Sequence, residues 1–164
     1  MKSLIICVSV SNGNTRRVAD SMAEVLGADV VTPEAVDVDS LGQYDLIGFG
    51  SGVYFMAVHP RLWNLVRRLP TDDTGTRRAF TFFTSGARRM RLLDYGGPLG
   101  RKLAAKGFDV LDSFWCLGCD TVGPLKLLGG VNKGRPNETD LEQAAAFAER
   151  LRRRVEIAQA PPML

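Results

Sequence analysis

An unbroken apolar run, Leu4-Ile5-Ile6-Cys7-Val8, leads straight into Ser9-Val10-Ser11-Asn12-Gly13-Asn14-Thr15 and from there into a helical repeat. Apolar residues in sequence without alternation describe a strand buried on both faces. A short Ser/Asn/Gly loop joining such a strand to a helix aims backbone N–H groups and hydroxyls at one point, beside the positive end of the helix dipole. A phosphate monoester is the natural occupant of that point.

The rest of the chain repeats this strand-then-helix order. Val18, Met22, Val25 and Leu26 recur at helical spacing, and Gly27 supplies a stop. Residues 28–32 are predicted as a second strand, 34–44 as a loop with a turn of helix, and 45–50 as a third strand ending in a loop at 51–54. Pro60 opens a helix whose buried stripe is Leu62, Leu65, Val66 and Leu69. A fourth strand is predicted over 79–84, a helix over 98–106 with a stop at Gly107, and a fifth strand over 108–115. Residues 116–137 hold five glycines and two prolines and are long for a connection inside a domain. Thr139 with Glu142 reads as a capping box for a last helix carrying Leu141, Ala144, Ala148, Leu151 and Val155. One domain over 1–157 and a flexible tail over 158–164 are expected. Five alternations favour a parallel sheet with right-handed crossovers and helices on both faces. Ligands of such sheets bind outside the carboxyl ends of the strands. The loops to read are therefore 9–15, 51–59 and 84–91.

Composition narrows the classes. A formal charge of +3 over 164 residues, without a basic stripe, does not suggest a nucleic-acid binder. No run reaches membrane-spanning length, and the apolar start lacks a signal-peptide cleavage site. Three cysteines, Cys7, Cys116 and Cys119, are too few for a disulfide framework, so a cytoplasmic protein is expected. The first loop has no lysine and no Gly-Lys-Ser/Thr ending, which argues against a nucleotide triphosphatase; the Gly-x-Gly-x-x-Gly of a dinucleotide fold is also missing.

The Gly-Asn-Thr ending of the first loop, Gly50-Ser51-Gly52-Val53-Tyr54 and Thr84-Ser85-Gly86 together resemble the flavodoxin family. The run Gly130-Val131-Asn132-Lys133-Gly134-Arg135-Pro136-Asn137 is similar to a subset of small flavodoxin-domain proteins. The resemblance implies an α/β fold, a doubly wound sheet of five parallel strands in the order 2-1-3-4-5. It implies FMN as cofactor and electron transfer through the flavin. By position, Ser9, Ser11, Asn12, Gly13, Asn14 and Thr15 would bind the phosphate. Ser51, Gly52, Val53, Tyr54 and Phe55, with Thr84, Ser85, Gly86 and Ala87, would line the isoalloxazine. Val10 and Asn12 stand where the family usually carries Ser or Thr.

Other residues bear on what a flavin would do there. Arg88, Arg89 and Arg91 would favour an anionic reduced flavin, or receive an anionic substrate or the phosphate of NADPH; a solvated face is the bland alternative. Cys116-Leu117-Gly118-Cys119 reads as a redox dithiol or as two unreactive cysteines. His59 reads as a cap or turn residue, or as a proton donor to reduced flavin. Arg150 and Arg152–Arg154 suit the end of the last helix. Three functions stay open: an FMN electron carrier serving a redox partner protein or small acceptor, an NAD(P)H-dependent flavin or quinone reductase, and a flavin-free binding module. A monomer or homodimer is expected, with no nucleic acid and no membrane span.

Overall fold

The computed structural model describes residues 1–10, 12–54, 57–72, 77–86, 96–119 and 132–160. In chain order the elements are β1 (Ser3–Val8), α1 (Asn14–Leu26), β2 (Asp29–Val31), two short 3₁₀ turns (Pro33–Ala35 and Val38–Gln43), β3 (Leu46–Tyr54) and β4 (Ala57–Val58). There follow α2 (Pro60–Arg68), β5 (Arg77–Ser85), α3 (Gly96–Ala104), β6 (Phe108–Leu117) and α4 (Glu138–Gln159). The sheet runs β2-β1-β3-β5-β6, and every pairing along that path is parallel. Counted as parallel strands this is the expected order 2-1-3-4-5. The two-residue β4 is additional and pairs antiparallel with the end of β3.

Alternation along each strand feeds two cores. Leu4, Ile6, Val8, Ile47, Phe49 and Phe83 pack with Leu62, Leu65 and Val66 of α2 and with Leu99 and Leu103 of α3. Ile5, Cys7, Phe80 and Phe82 pack with Val18 and Met22 of α1 and with Ala144, Phe147 and Leu151 of α4. On this second face β3 presents glycine opposite phenylalanine: Gly48 pairs with Phe80 and Gly50 with Phe82. A Cβ on Gly50 would lie 1.9 Å from Phe82 Cζ, so the ring occupies the volume a side chain would need. In β6 a bulge passes over Leu111 between the pairs Ala79–Val110 and Phe80–Asp112. The extra residue switches the alternation, sending Phe108 to the first core and Phe114 to the second.

Several boundaries differ from the sequence reading. The expected loop at 51–54 is strand: Val53 packs against the first core and Val58 is buried in it, so the apolar side of this hairpin carries β3 on to Tyr54. The α3 helix begins at Gly96 rather than at Pro98. Pro98 is accommodated because N–H groups of the first turn need no intrahelical acceptor. The capping box of α4 is Asn137 with Asp140, not Thr139 with Glu142. Asp140 is the better choice because it also pairs with Arg135 at 2.6 Å. The helix ends at Gln159, so Arg152–Arg154 lie in its interior, and no basic residue occupies its last turn. Arg152 and Arg153 pair with Glu149, and Arg154 donates to Leu111 O. Residues 161–164 of the expected tail lie outside the described residues. Among the described residues no helix is long and apolar enough to cross a membrane.

Candidate functional site

The loop between β1 and α1 turns through two consecutive left-handed residues, Asn12 (φ 55) and Gly13 (φ 66). Glycine at the second position avoids the Cβ cost of that conformation. The first bond of the helix is Arg17 N–H to Gly13 O, at 3.0 Å. Earlier amides of the first turn therefore point out of the helix end. The N-cap residue, Gly13, has no side chain to bond them, and no acidic residue stands in the first turn. Arg16 and Arg17 sit there instead, where positive charge opposes the helix dipole. Arg16 is offset by Asp20 at 2.7 Å. Beside this end Ser9 Oγ is shielded from solvent and has no hydrogen-bond partner among the described residues. A buried hydroxyl without a partner costs about 1–3 kcal/mol unless a ligand satisfies it.

The other predicted phosphate residues divide. Asn12 Nδ2 and Asn14 Nδ2 both donate to the carbonyl of Cys119, at 3.1 and 2.7 Å. Thr15 and Thr84, both buried, share a hydroxyl–hydroxyl bond of 2.7 Å. These three side chains therefore tie the first loop to the ends of β5 and β6. The Ser9 hydroxyl takes no part in these ties. Ser11 lies outside the described residues.

Around the second and third loops the pattern is similar. Ser51, with no solvent exposure at 0 %, accepts from His59 N–H at 3.1 Å and donates to Gly52 O at 2.6 Å. Its hydroxyl thus pins the base of the β3–β4 hairpin. Gly52, Val53 and Tyr54 complete β3, while Phe55 and Met56 are outside the described residues. Ser85 O accepts from Gly118 N–H at 2.9 Å, bringing the ends of β5 and β6 together. Gly86 follows; Ala87, Arg88, Arg89 and Arg91 are outside the described residues. His59 caps α2, its Nδ1 accepting from Arg61 N–H at 3.2 Å. Burial, with the Arg61 charge second, holds its imidazole below the usual pKa.

Sequence reasoning missed the structural part played by the segment after β6. Cys119 N–H donates to Arg135 O at 3.0 Å while its carbonyl receives the two asparagines, so its backbone is held on both sides. A Cβ on Gly118 would come within 2.9 Å of Asn14 Nδ2, so glycine is what lets this strand end close on the first loop. The Asn-Lys-Gly-Arg-Pro-Asn run was the available signal, since so many turn-forming residues together must make a defined turn. Cys116 is 3 % exposed beneath α4, and burial pushes its thiol up to about 12; burial does the same to Cys7. Cys119 is half-buried. One thiol per native chain, Cys119, is expected to react with a chromogenic disulfide at pH 8, and three after denaturation. Reaction of Cys116 in the native state, seen by mass mapping, would contradict this placement.

Three comparisons bear on kinship. Residues 5–92 match the flavodoxin domain profile. An uncharacterised protein of Methanocaldococcus jannaschii is 38% identical over 149 residues, spanning 91% of this chain and 97% of its own. Among solved structures, a flavodoxin from the domain Archaea superposes with a TM-score of 0.71 at 17% identity, over 95% of this chain and 99% of its own. Flavodoxin 2 of Bacillus cereus does so at 0.72 and 19%, over 94% and 99%. With the profile covering more than half its length and its sheet in the same order, the chain belongs to the flavodoxin domain family.

Proposed function

We propose that this protein binds FMN and passes electrons through it as a cytoplasmic carrier between redox partners. The observation that carries the reading is the amino end of α1, which has glycine at its N-cap and no acidic residue in its first turn and follows Ser9, whose buried hydroxyl has no partner among the described residues. Those donors are neutral amides and a hydroxyl, a set suited to a phosphate dianion held without lysine. Ser9, Gly13 and the first turn of α1 would hold the phosphate. The β3–β4 hairpin and the loop after β5, with Ser51, Thr84 and Ser85 fixing their bases, would flank the ring. When bound, FMN supplies one- and two-electron transfer, and the protein supplies anchoring and a pocket that limits water. Family membership supports the same assignment.

The test is titration of the purified protein with FMN and riboflavin, followed by flavin fluorescence. Quenching on binding, with FMN held at least about tenfold tighter than riboflavin, is expected from a phosphate anchored by several charge-assisted hydrogen bonds. A carrier is further expected to accept electrons only through a separate reductase, leaving NADPH unconsumed on its own. Absence of flavin binding would favour the flavin-free module. NADPH turnover by the protein alone would favour the reductase.

A further inference from the structure

Asn132 is a non-glycine residue with a left-handed backbone, φ 55, and its side chain reaches two separate loops. Its Nδ2 donates to Gly86 O at 2.5 Å and to Gly118 O at 3.5 Å. Gly86 follows β5 and Gly118 follows β6, neighbouring strands whose ends are already joined by Gly118 N–H to Ser85 O. The turn that presents Asn132 is closed by Arg135 N–H to Asn132 O at 3.0 Å, with Gly134 at φ 80 inside it. Arg135 O then receives Cys119 N–H, and Arg135 Nη1 binds Asp140 at the start of α4. The turn is thus anchored to the long last helix, and Asn132 extends from it as a two-pronged donor between carbonyls.

We propose that Asn132 is a positioning residue for the ring end of the flavin site. The proposal rests on the FMN reading above. Its amide latches the loop after β5 to the end of β6 and uses the Gly86 carbonyl as an acceptor. A glycine peptide rotates easily, and the latch removes that freedom before the ligand arrives. The Gly86 backbone then loses less entropy on binding. The shorter of its two bonds is to Gly86 O, after β5, and Ser9 takes no part in it, so its effect is expected on the isoalloxazine and not selectively on the phosphate.

Two variants separate latch from fold. Asn132→Gly deletes the amide and tolerates the left-handed backbone. Asn132→Asp keeps the shape but turns a donor toward two carbonyl oxygens into an acceptor. FMN and riboflavin are titrated into wild type and both variants, with the spectrum of bound flavin recorded and thermal unfolding of the flavin-free proteins run alongside. Both variants are expected to bind both flavins about fivefold to tenfold more weakly, by the same factor for each flavin. The bound-flavin spectrum shifts, while Asn132→Gly unfolds within a few degrees of wild type. Unchanged affinities and spectra in a wild type that binds flavin overturn the latch alone. A loss confined to FMN also overturns it, by moving the effect to the phosphate loop. A wild type that takes up neither flavin overturns the FMN reading itself, and the latch with it.

Discussion

Replacing Gly107 by alanine is expected to lower the melting temperature by about 10 °C. Gly107 ends the turn after α3 with φ 88, and a Cβ there would lie 1.7 Å from the backbone oxygen of Asp72. A flexible side chain could swing aside, but a carbonyl fixed in place cannot. Asp72 N–H donates to Lys106 O at 3.2 Å, and Asp72 Oδ2 lies 2.9 Å from Nε of Arg77. Arg77 is only 7 % exposed, donates to Pro70 O and Lys106 O, and lies over the Phe108 ring at 4.6 Å. Displacing Asp72 would leave a buried guanidinium short of its carboxylate. Overpacking of about 1–3 kcal/mol and a left-handed alanine of about 1–2 kcal/mol together give about 2–5 kcal/mol. Gly134→Ala is the control, because its φ of 80 imposes the backbone cost while open space surrounds the added methyl. Thermal unfolding of both variants checks the claim. A Gly107→Ala loss no larger than that of Gly134→Ala would remove the steric part of it.

How far such details could be read from the sequence depends on the distance between partners. The strand-and-helix order was legible because each signal is local: Leu4–Val8 is apolar throughout, and Gly27 follows the last helical residue of α1. The β3 glycines are visible in the sequence, but their meaning depends on register, which places Gly50 opposite Phe82. The bulge at Leu111 is hidden for the same reason, since only the β5 partner reveals that one residue is passed over. Two capping boxes fit the start of α4 locally, and the ion pair from Arg135, five residues before Asp140, selects Asp140 over Glu142. In the candidate site, the expectation of an anion at the first loop follows from residue types within it. The engagement of Asn14 could not be inferred there, because the carbonyl it binds is 105 residues further along. A polar side chain in such a loop can face either the ligand or another loop, and only the fold decides which.

That division between ligand-facing and loop-facing groups makes Asn14→Asp the most discriminating change in the site. Asn14 is 9 % exposed at the first position of α1, with Nδ2 donating to Cys119 O at 2.7 Å. The substitution conserves shape, replaces that donor with an oxygen, and places a negative charge at the proposed phosphate position. At an effective dielectric of about 20, two unit charges about 6 Å apart repel by about 3 kcal/mol, so a carboxylate beside a phosphate dianion is expected to weaken FMN at least about a hundredfold. Riboflavin has no phosphate and is expected to lose less than about tenfold, from the broken tie to Cys119 alone. Selectivity for FMN over riboflavin should therefore collapse, and added salt should restore part of the FMN affinity. Asn14→Ala removes the amide without adding charge and is expected to weaken both flavins alike. The flavin-free Asn14→Asp protein should stay folded, because a negative charge at a helix start next to Arg16 and Arg17 is favourable there. Equal weakening of both flavins by Asn14→Asp would place the phosphate elsewhere. The helix end and Ser9 would then need another ligand to account for them.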